Sequence, residues 1–372
     1  MSIYLDNAAT TRPSPAATAQ AIALLEDGFY NPSALYREGF AAHKRLEEAR
    51  RAVLSHLAPA GGYGLVFTSC GSEADNLALF SAGHGNVVVS GGEHAAVYNA
   101  AEELARRGRE VRFAALRADG RVDEADLLSK VDGETALVSV IHVGNETGAV
   151  NDIAALARAV KAKNPRARFH SDGVQAFGKI PFALASPVDM YTVSAHKIGG
   201  VRGAAALAFR KGTPLHPIIF GGGQEGGLRS GTENTFAAVH FAAAAGEACG
   251  RIHENYGHVR ALNACVRARL NGELFTVLSG EEASPYILSV ATRLRGEVLM
   301  HMCDDAGLIV GTGSACSSKS RVSRVILACG VAPALAEGVL RLSFSPANTE
   351  EECARAADIL NRCAAELAER MR

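Results

Sequence analysis

The sequence contains no tryptophan, only 6% aromatic residues and no excess of either charge. With 38 basic residues against 39 acidic, the net charge is −1, so no global field favours nucleic acid or an anionic membrane. No uncharged apolar stretch approaches the roughly eighteen residues that a membrane span needs. Met1-Ser2-Ile3-Tyr4-Leu5-Asp6 offers neither a basic nor an apolar leader region, so a cytoplasmic protein is expected. The eight cysteines, at 70, 249, 265, 303, 316, 329, 353 and 363, form no CxxC pair and none sits at zinc-finger spacing from a histidine. They are expected to be free thiols in a reducing compartment, and no metal site is expected. Repeats, low-complexity tracts and charge runs are missing as well.

What is present is glycine, 38 of 372 residues, which favours tight turns and close backbone approaches over aromatic platforms. Short apolar runs alternate with helical segments: 65–68, 86–90, 110–114, 136–142, 168–171, 190–194 and 203–209. Seven strands with helices between them indicate an α/β unit with a mostly parallel sheet. The link between the last two is too short for a helical crossover, so 203–209 is expected antiparallel to its neighbour or not adjacent to it. Further strands near 275–278, 286–291, 308–311 and 340–344 indicate a smaller mixed unit, closed by a helix whose capping box is Thr349 and Glu352. The expected division is an N-terminal segment over 1–15 packing with the small unit, a large domain over 16–250 and a small C-terminal domain over 251–372.

Ligands of open α/β sheets sit outside the carboxyl ends of the strands. After the first strand come Cys70-Gly71-Ser72, small residues opening a helix: a phosphate cradle or an ordinary N-cap. After the second comes His94, able to lie on a bound ring or move a proton, or simply a surface residue. After the fourth comes Asn145, a donor to a carboxylate or a helix cap. After the fifth comes Asp172, whose buried carboxylate needs either a cation such as a protonated pyridine nitrogen or an arginine salt bridge. After the sixth comes Lys197, at the tip of an apolar strand, where a lysine becomes nucleophilic by forming a Schiff base with an aldehyde cofactor. Together these are the protein parts of a pyridoxal phosphate site. In the second unit Cys316 lies in the middle of a small-residue loop with Lys319 and Arg321 nearby, which favours its thiolate. The other cysteines, Cys70 apart, read as buried small hydrophobes. Arg341, on a strand, is either a bidentate carboxylate clamp or half of a structural ion pair.

The stretches YLDNAATT, NPSALYREG, FTSCGSEADN, GEHAAV, NETG, HSDGVQAFGK, SAHKIGG, GGGQEGGLRSGTEN, GSACSS and RLSFSPANTEEE span nearly the whole chain. In them the sequence resembles the cysteine desulfurases of the NifS/IscS type, group I, within the class V aminotransferase branch of fold type I pyridoxal phosphate enzymes. The resemblance implies pyridoxal 5'-phosphate as cofactor and Lys197 as the residue that tethers it and shuttles the substrate's α-proton. It implies that His94 stacks on the ring, Asp172 holds the pyridine nitrogen protonated and Gln175 bonds the phenolic oxygen. Gly71, Ser72, Ser194 and His196 then cradle the phosphate, with Thr232 reaching in from the second subunit of a homodimer with shared active sites. Asn145 and Arg341 would hold the carboxylate of L-cysteine, and Cys316 would take its sulfur as a persulfide, releasing L-alanine. The sulfur acceptor would be a protein such as an iron–sulfur scaffold or a transfer-RNA thiolation enzyme, with no direct nucleic-acid or membrane contact. Two departures stand out: Ala34-Leu35-Tyr36 replaces the family's Ser-x-His, and Cys70 replaces a usual glycine. A selenocysteine lyase or another class V enzyme would use the same Lys197 and Asp172 without Cys316. A non-catalytic scaffold would bind no cofactor.

Overall fold

The computed structural model describes residues 2–312 and 322–371. Its first part runs β1 (Ile3–Tyr4), α1 (Pro15–Asp27), α2 (Arg37–Leu57), β2 (Tyr63–Thr68), α3 (Gly71–Phe80), β3 (Asn86–Ser90) and α4 (Ala95–Arg106). There follow β4 (Val111–Ala114), α5 (Glu124–Lys130), β5 (Thr135–Ser139), α6 (Ile153–Lys163), β6 (Arg168–Asp172), β7 (Met190–Ser194) and β8 (Ala205–Arg210). After a glycine-rich loop come α7 (Thr235–Gly250), α8 (Ile252–Arg269), β9 (Thr276–Val277), β10 (Ile287–Ala291) and α9 (Gly296–Asp305). The chain closes with β11 (Leu308–Ile309), β12 (Gly311–Thr312), α10 (Arg324–Ala328), α11 (Pro333–Ala336), β13 (Val339–Ser343) and α12 (Glu350–Arg370).

Strands β2 to β8 form one seven-stranded sheet in the order β2-β8-β7-β6-β5-β3-β4. Only β8 runs against the rest, paired antiparallel to β7 on one side and β2 on the other. The short Gly-rich link allows no other direction for a neighbouring strand. Both faces of the sheet are covered. Val88, Val138 and Tyr191 point into a core shared with α2, α5, α6 and α7, while Val87, Val89 and Leu137 point into one shared with α3 and α4. A sheet buried on both faces needs continuous apolar strands, which is why β3 reads NVVVS and β7 MYTVS. Asp189, just before β7, is fully buried and offsets its charge with Lys161 Nζ at 2.7 Å, Arg210 Nη2 at 2.5 Å and the Phe169 N–H at 2.8 Å.

A second core gathers α8, α9, α12, β10 and β13, together with Ile3 and Leu5 from the N-terminus. Its four-stranded sheet has the order β12-β13-β10-β9, and β1 pairs in parallel with β11. The run 308–311, expected as one strand, is two: Leu308–Ile309 serve β1 and Gly311–Thr312 serve β13. Beyond β1 the N-terminal segment reaches the large sheet, where Thr11 N–H donates to His196 O at 2.8 Å and Ser14 N–H to Gly199 O at 2.7 Å. The capping box of α12 forms, with Thr349 and Glu352 bonding each other's backbone N–H. Among the described residues, no helix is long and apolar enough to cross a membrane.

Candidate active site

A cavity of about 820 Å³ opens at the carboxyl ends of β2, β3, β5, β6 and β7, with Arg341 of β13 closing one side. Gly71, Ser72, His94, Asn145, Asp172, Gln175, Ser194, His196, Lys197 and Arg341 all line it. Thr232 does not; it lies exposed on the glycine-rich loop, beside a separate small cavity with Ser69 and Arg229. Cys316 lies outside the described residues.

Local sequence explains how each group arrives. β6 ends at Asp172 because Gly173 follows, and Gly173 cannot carry a side chain: a Cβ would stand 1.9 Å from Tyr191 Cζ. The backbone therefore turns tightly against the Tyr191 ring, and Val174 N–H comes back to Asp172 Oδ1 at 2.9 Å. Asp172 is 4% exposed, and among the described residues no arginine pairs with it, so the salt-bridge alternative falls away. Burial raises its carboxyl pKa, against the opposing charges of His94 and Lys197. β7 ends at Ser194, whose Oγ is buried and unpartnered, and a single 3-10 turn carries His196 and Lys197 round the rim. Lys197 Nζ donates to the carbonyl oxygens of Ala8 at 2.6 Å and Ala9 at 2.9 Å, so the N-terminal segment aims it. Burial, with Lys197, Lys179 and Arg202 adding to it, lowers the His196 pKa to about 4 and keeps that ring neutral.

His94 is the N-cap of α4, its Nδ1 accepting from Ala96 N–H at 3.2 Å. Burial is the main cause of its lowered pKa, with Asp172 opposing. A neutral ring that accepts at Nδ1 carries its proton on Nε2. Arg341 forms the structural ion pair, one of the two alternatives the sequence left open. Its Nη2 donates to Asp6 Oδ1 at 2.9 Å and its Nη1 to Asn145 O at 3.0 Å, while its buried Nε has no partner. The ion pair fixes the guanidinium plane and leaves donors for a carboxylate.

The structure adds groups that residue-by-residue reading did not single out. Glu93, Asp75 and Glu146 line the cavity with carboxyl groups, each with an unpartnered oxygen. Burial is the first cause of raised pKa in all three: Glu93 to about 8, Glu146 to about 6, and Asp75 well above its usual value with Asp172 adding to it. Asp6 orients Arg341, and Lys179 touches Gln175. Their signal was position: each lies inside a matched stretch, and Glu93 and Glu146 stand next to His94 and Asn145. Of the cysteines read as buried, Cys303, Cys329, Cys353 and Cys363 are so, but Cys249 and Cys265 are only half-buried, lying at the edges of their helix faces. Burial still pushes Cys249 to about 11 and Cys303 to about 12, which makes them poor nucleophiles. Among the described residues there is no cluster able to hold a metal ion.

The donor set fits pyridoxal 5'-phosphate. The orphaned Ser194 Oγ and the first-turn amides of α3 suit its phosphate. The buried Asp172 carboxylate suits a pyridinium, and Lys197 supplies the amine. A doubly wound sheet with this set at its strand ends defines a pyridoxal-phosphate-dependent enzyme of fold type I. The class V aminotransferase family model matches residues 3–355, and the chain belongs to that family. Within it, the chain is 35% identical to a cysteine desulfurase of Gluconacetobacter diazotrophicus, over 99% of this chain and 94% of the relative. It is 36% identical to cysteine desulfurase IscS 1 of Archaeoglobus fulgidus, over 96% and 95%. A solved NifS-like protein superposes with a TM-score of 0.92 at 32% identity, covering 99% of this chain and all of the other.

Proposed function

We propose that this protein is a cysteine desulfurase that takes sulfur from L-cysteine onto Cys316 and releases L-alanine. The observation that carries the reading is the single cavity in which Lys197, Asp172 and His94, from three strand ends, meet Arg341 from the middle of β13. Ser194, His196, Ser72 and the Gly71 turn would hold the cofactor's phosphate, Asp172 its ring nitrogen and Gln175 its phenolic oxygen. When bound, pyridoxal 5'-phosphate supplies an electron sink for the pair released at the substrate's α-carbon. Arg341 and Asn145 receive the substrate carboxylate, which fixes the α-carbon near Lys197. Lys197 Nζ moves the α-proton, and His94 Nε2 is the nearby acid–base group.

The Cys316 thiolate attacks the substrate sulfur. An S–S bond forms, the carbon–sulfur bond breaks, and the substrate carbon returns as alanine after taking a proton, so thiol plus cysteine gives persulfide plus alanine. Cys316 enters on its loop sequence alone. The same reading makes residues 16–250 a cofactor unit and 251–372 a smaller unit, supported by their separate apolar cores.

A homodimer is part of the proposal. Leu35 and Phe40 line one groove with the glycine-rich loop, Phe29 and Tyr36 on the same stretch of chain are exposed, and Phe220 beside that loop is 82% exposed. An apolar face of this kind suits a second copy, and Thr232 would then complete a neighbour's site. Onward transfer to an iron–sulfur scaffold or a thiolation enzyme in the cytoplasm completes the reading. The test is the holoenzyme with L-cysteine and a thiol reductant: equal alanine and sulfide are expected, and C316A is expected to lose both by about a thousandfold. Near wild-type desulfuration by C316A would favour a lyase that does without the thiol.

A further inference from the structure

Lys179 is the least expected charge in the molecule. It lies four residues beyond Gln175 on the turn after β6, and 4% of it is exposed. Its Nζ donates to Gln175 Oε1 at 2.7 Å and stands 5.8 Å from the centre of the Tyr286 ring. Among the described residues no carboxylate pairs with it. Burial, seconded by the charges of Lys197 and Arg341, pushes its pKa well below that of an ordinary lysine. A buried amine without an acid partner is costly, so packing alone is a poor reason for it.

The amide it holds faces the cavity. Gln175 Nε2 gives one N–H to Ala8 O at 2.9 Å, and Oε1 is taken by Lys179. The hydrogen left on Nε2 is then available to the cavity that Gln175 lines. Without Lys179 the amide oxygen would be a buried acceptor with no donor, which favours swinging the amide and withdrawing its N–H.

We propose that Lys179 is a positioning residue that locks the Gln175 amide with its N–H toward the cavity, so that the site takes an acceptor oxygen there, the phenolic oxygen of pyridoxal 5'-phosphate. This rests on the cofactor reading above. Lys179 touches neither cofactor nor substrate; it acts through Gln175. Replacing it weakens cofactor binding only while Gln175 is present, and it changes the proton balance at the phenolic oxygen.

The test is a double-mutant cycle on the full-length protein, stripped of cofactor and titrated with pyridoxal 5'-phosphate. K179M is expected to weaken binding about tenfold and to move the pH midpoint of the bound cofactor's visible absorbance. In a Q175L background the same change is expected to do neither, within about threefold. K179L replaces K179M in the cycle if K179M does not fold. An equal loss in both backgrounds, or no loss in either, overturns the inference. Failure of the wild-type protein to bind the cofactor would overturn the cofactor reading instead.

Discussion

Glu93 stands directly before His94 and is 1% exposed. One of its oxygens accepts from Ser90 Oγ at 2.9 Å and the other has no partner. Burial first, and the Asp172 charge second, raise its pKa from 4.5 to about 8. The folded chain therefore keeps a proton that the unfolded chain loses, and stability falls as pH rises from 4.5 to 8. Glutamine imitates the protonated acid and has no such slope. The E93Q apoprotein should therefore melt progressively higher relative to wild type from about pH 5 to about pH 8; a constant difference would contradict a protonated Glu93. At this scale the sequence was legible where chemistry demanded a residue type at a strand end, as with Lys197, Asp172 and His94. It was not legible for Glu93 or Lys179. A glutamate beside a histidine, or a lysine in a Gly-Lys turn, reads as solvated until the packing around it is known.

Arg324 ties the elements on either side of the cavity together. It opens α10, immediately after the segment that contains Cys316, and its guanidinium reaches the turn between β3 and α4. Nη2 donates to Glu93 O at 2.7 Å, Nη1 donates to Gly91 O, and the group stacks 3.7 Å above the Tyr98 ring. The turn it braces carries His94. R324A is expected to destabilise the protein by about 1–3 kcal/mol in denaturant titration and to lower kcat/KM for L-cysteine about tenfold. Unchanged turnover would show that the His94 turn holds its shape unaided. The seven strands of the large sheet could be read from their apolar, β-branched runs, and the antiparallel β8 from the shortness of its link. Helices α10 and α11 could not. At five and four residues they are too short for a 3.6-residue period to show. The split between β11 and β12 depends on partners far away in sequence, Ile3–Tyr4 and Leu340–Arg341.

The whole molecule places two apolar cores around one cavity, which Lys197, Asp172 and His94 line from the large-sheet side and Arg341 from β13 of the other core. The sequence conveyed that arrangement through the order of its motifs, but not through any local signal for Thr232, which the single chain leaves away from the cavity. If a second copy covers the groove around Leu35 and Phe40, light scattering gives a dimer for wild type. F40D then gives monomers with weakened cofactor binding, because Thr232 no longer reaches the neighbouring site. A wild-type monomer with full cofactor affinity would contradict shared sites. The most direct measurement is peptide mass spectrometry of the holoenzyme after one turnover with L-cysteine, with no reductant present. The peptide containing Cys316 should gain one sulfur atom while one alanine is released per site; sulfur found instead on Cys70, or alanine released with no sulfur bound to the protein, would contradict it.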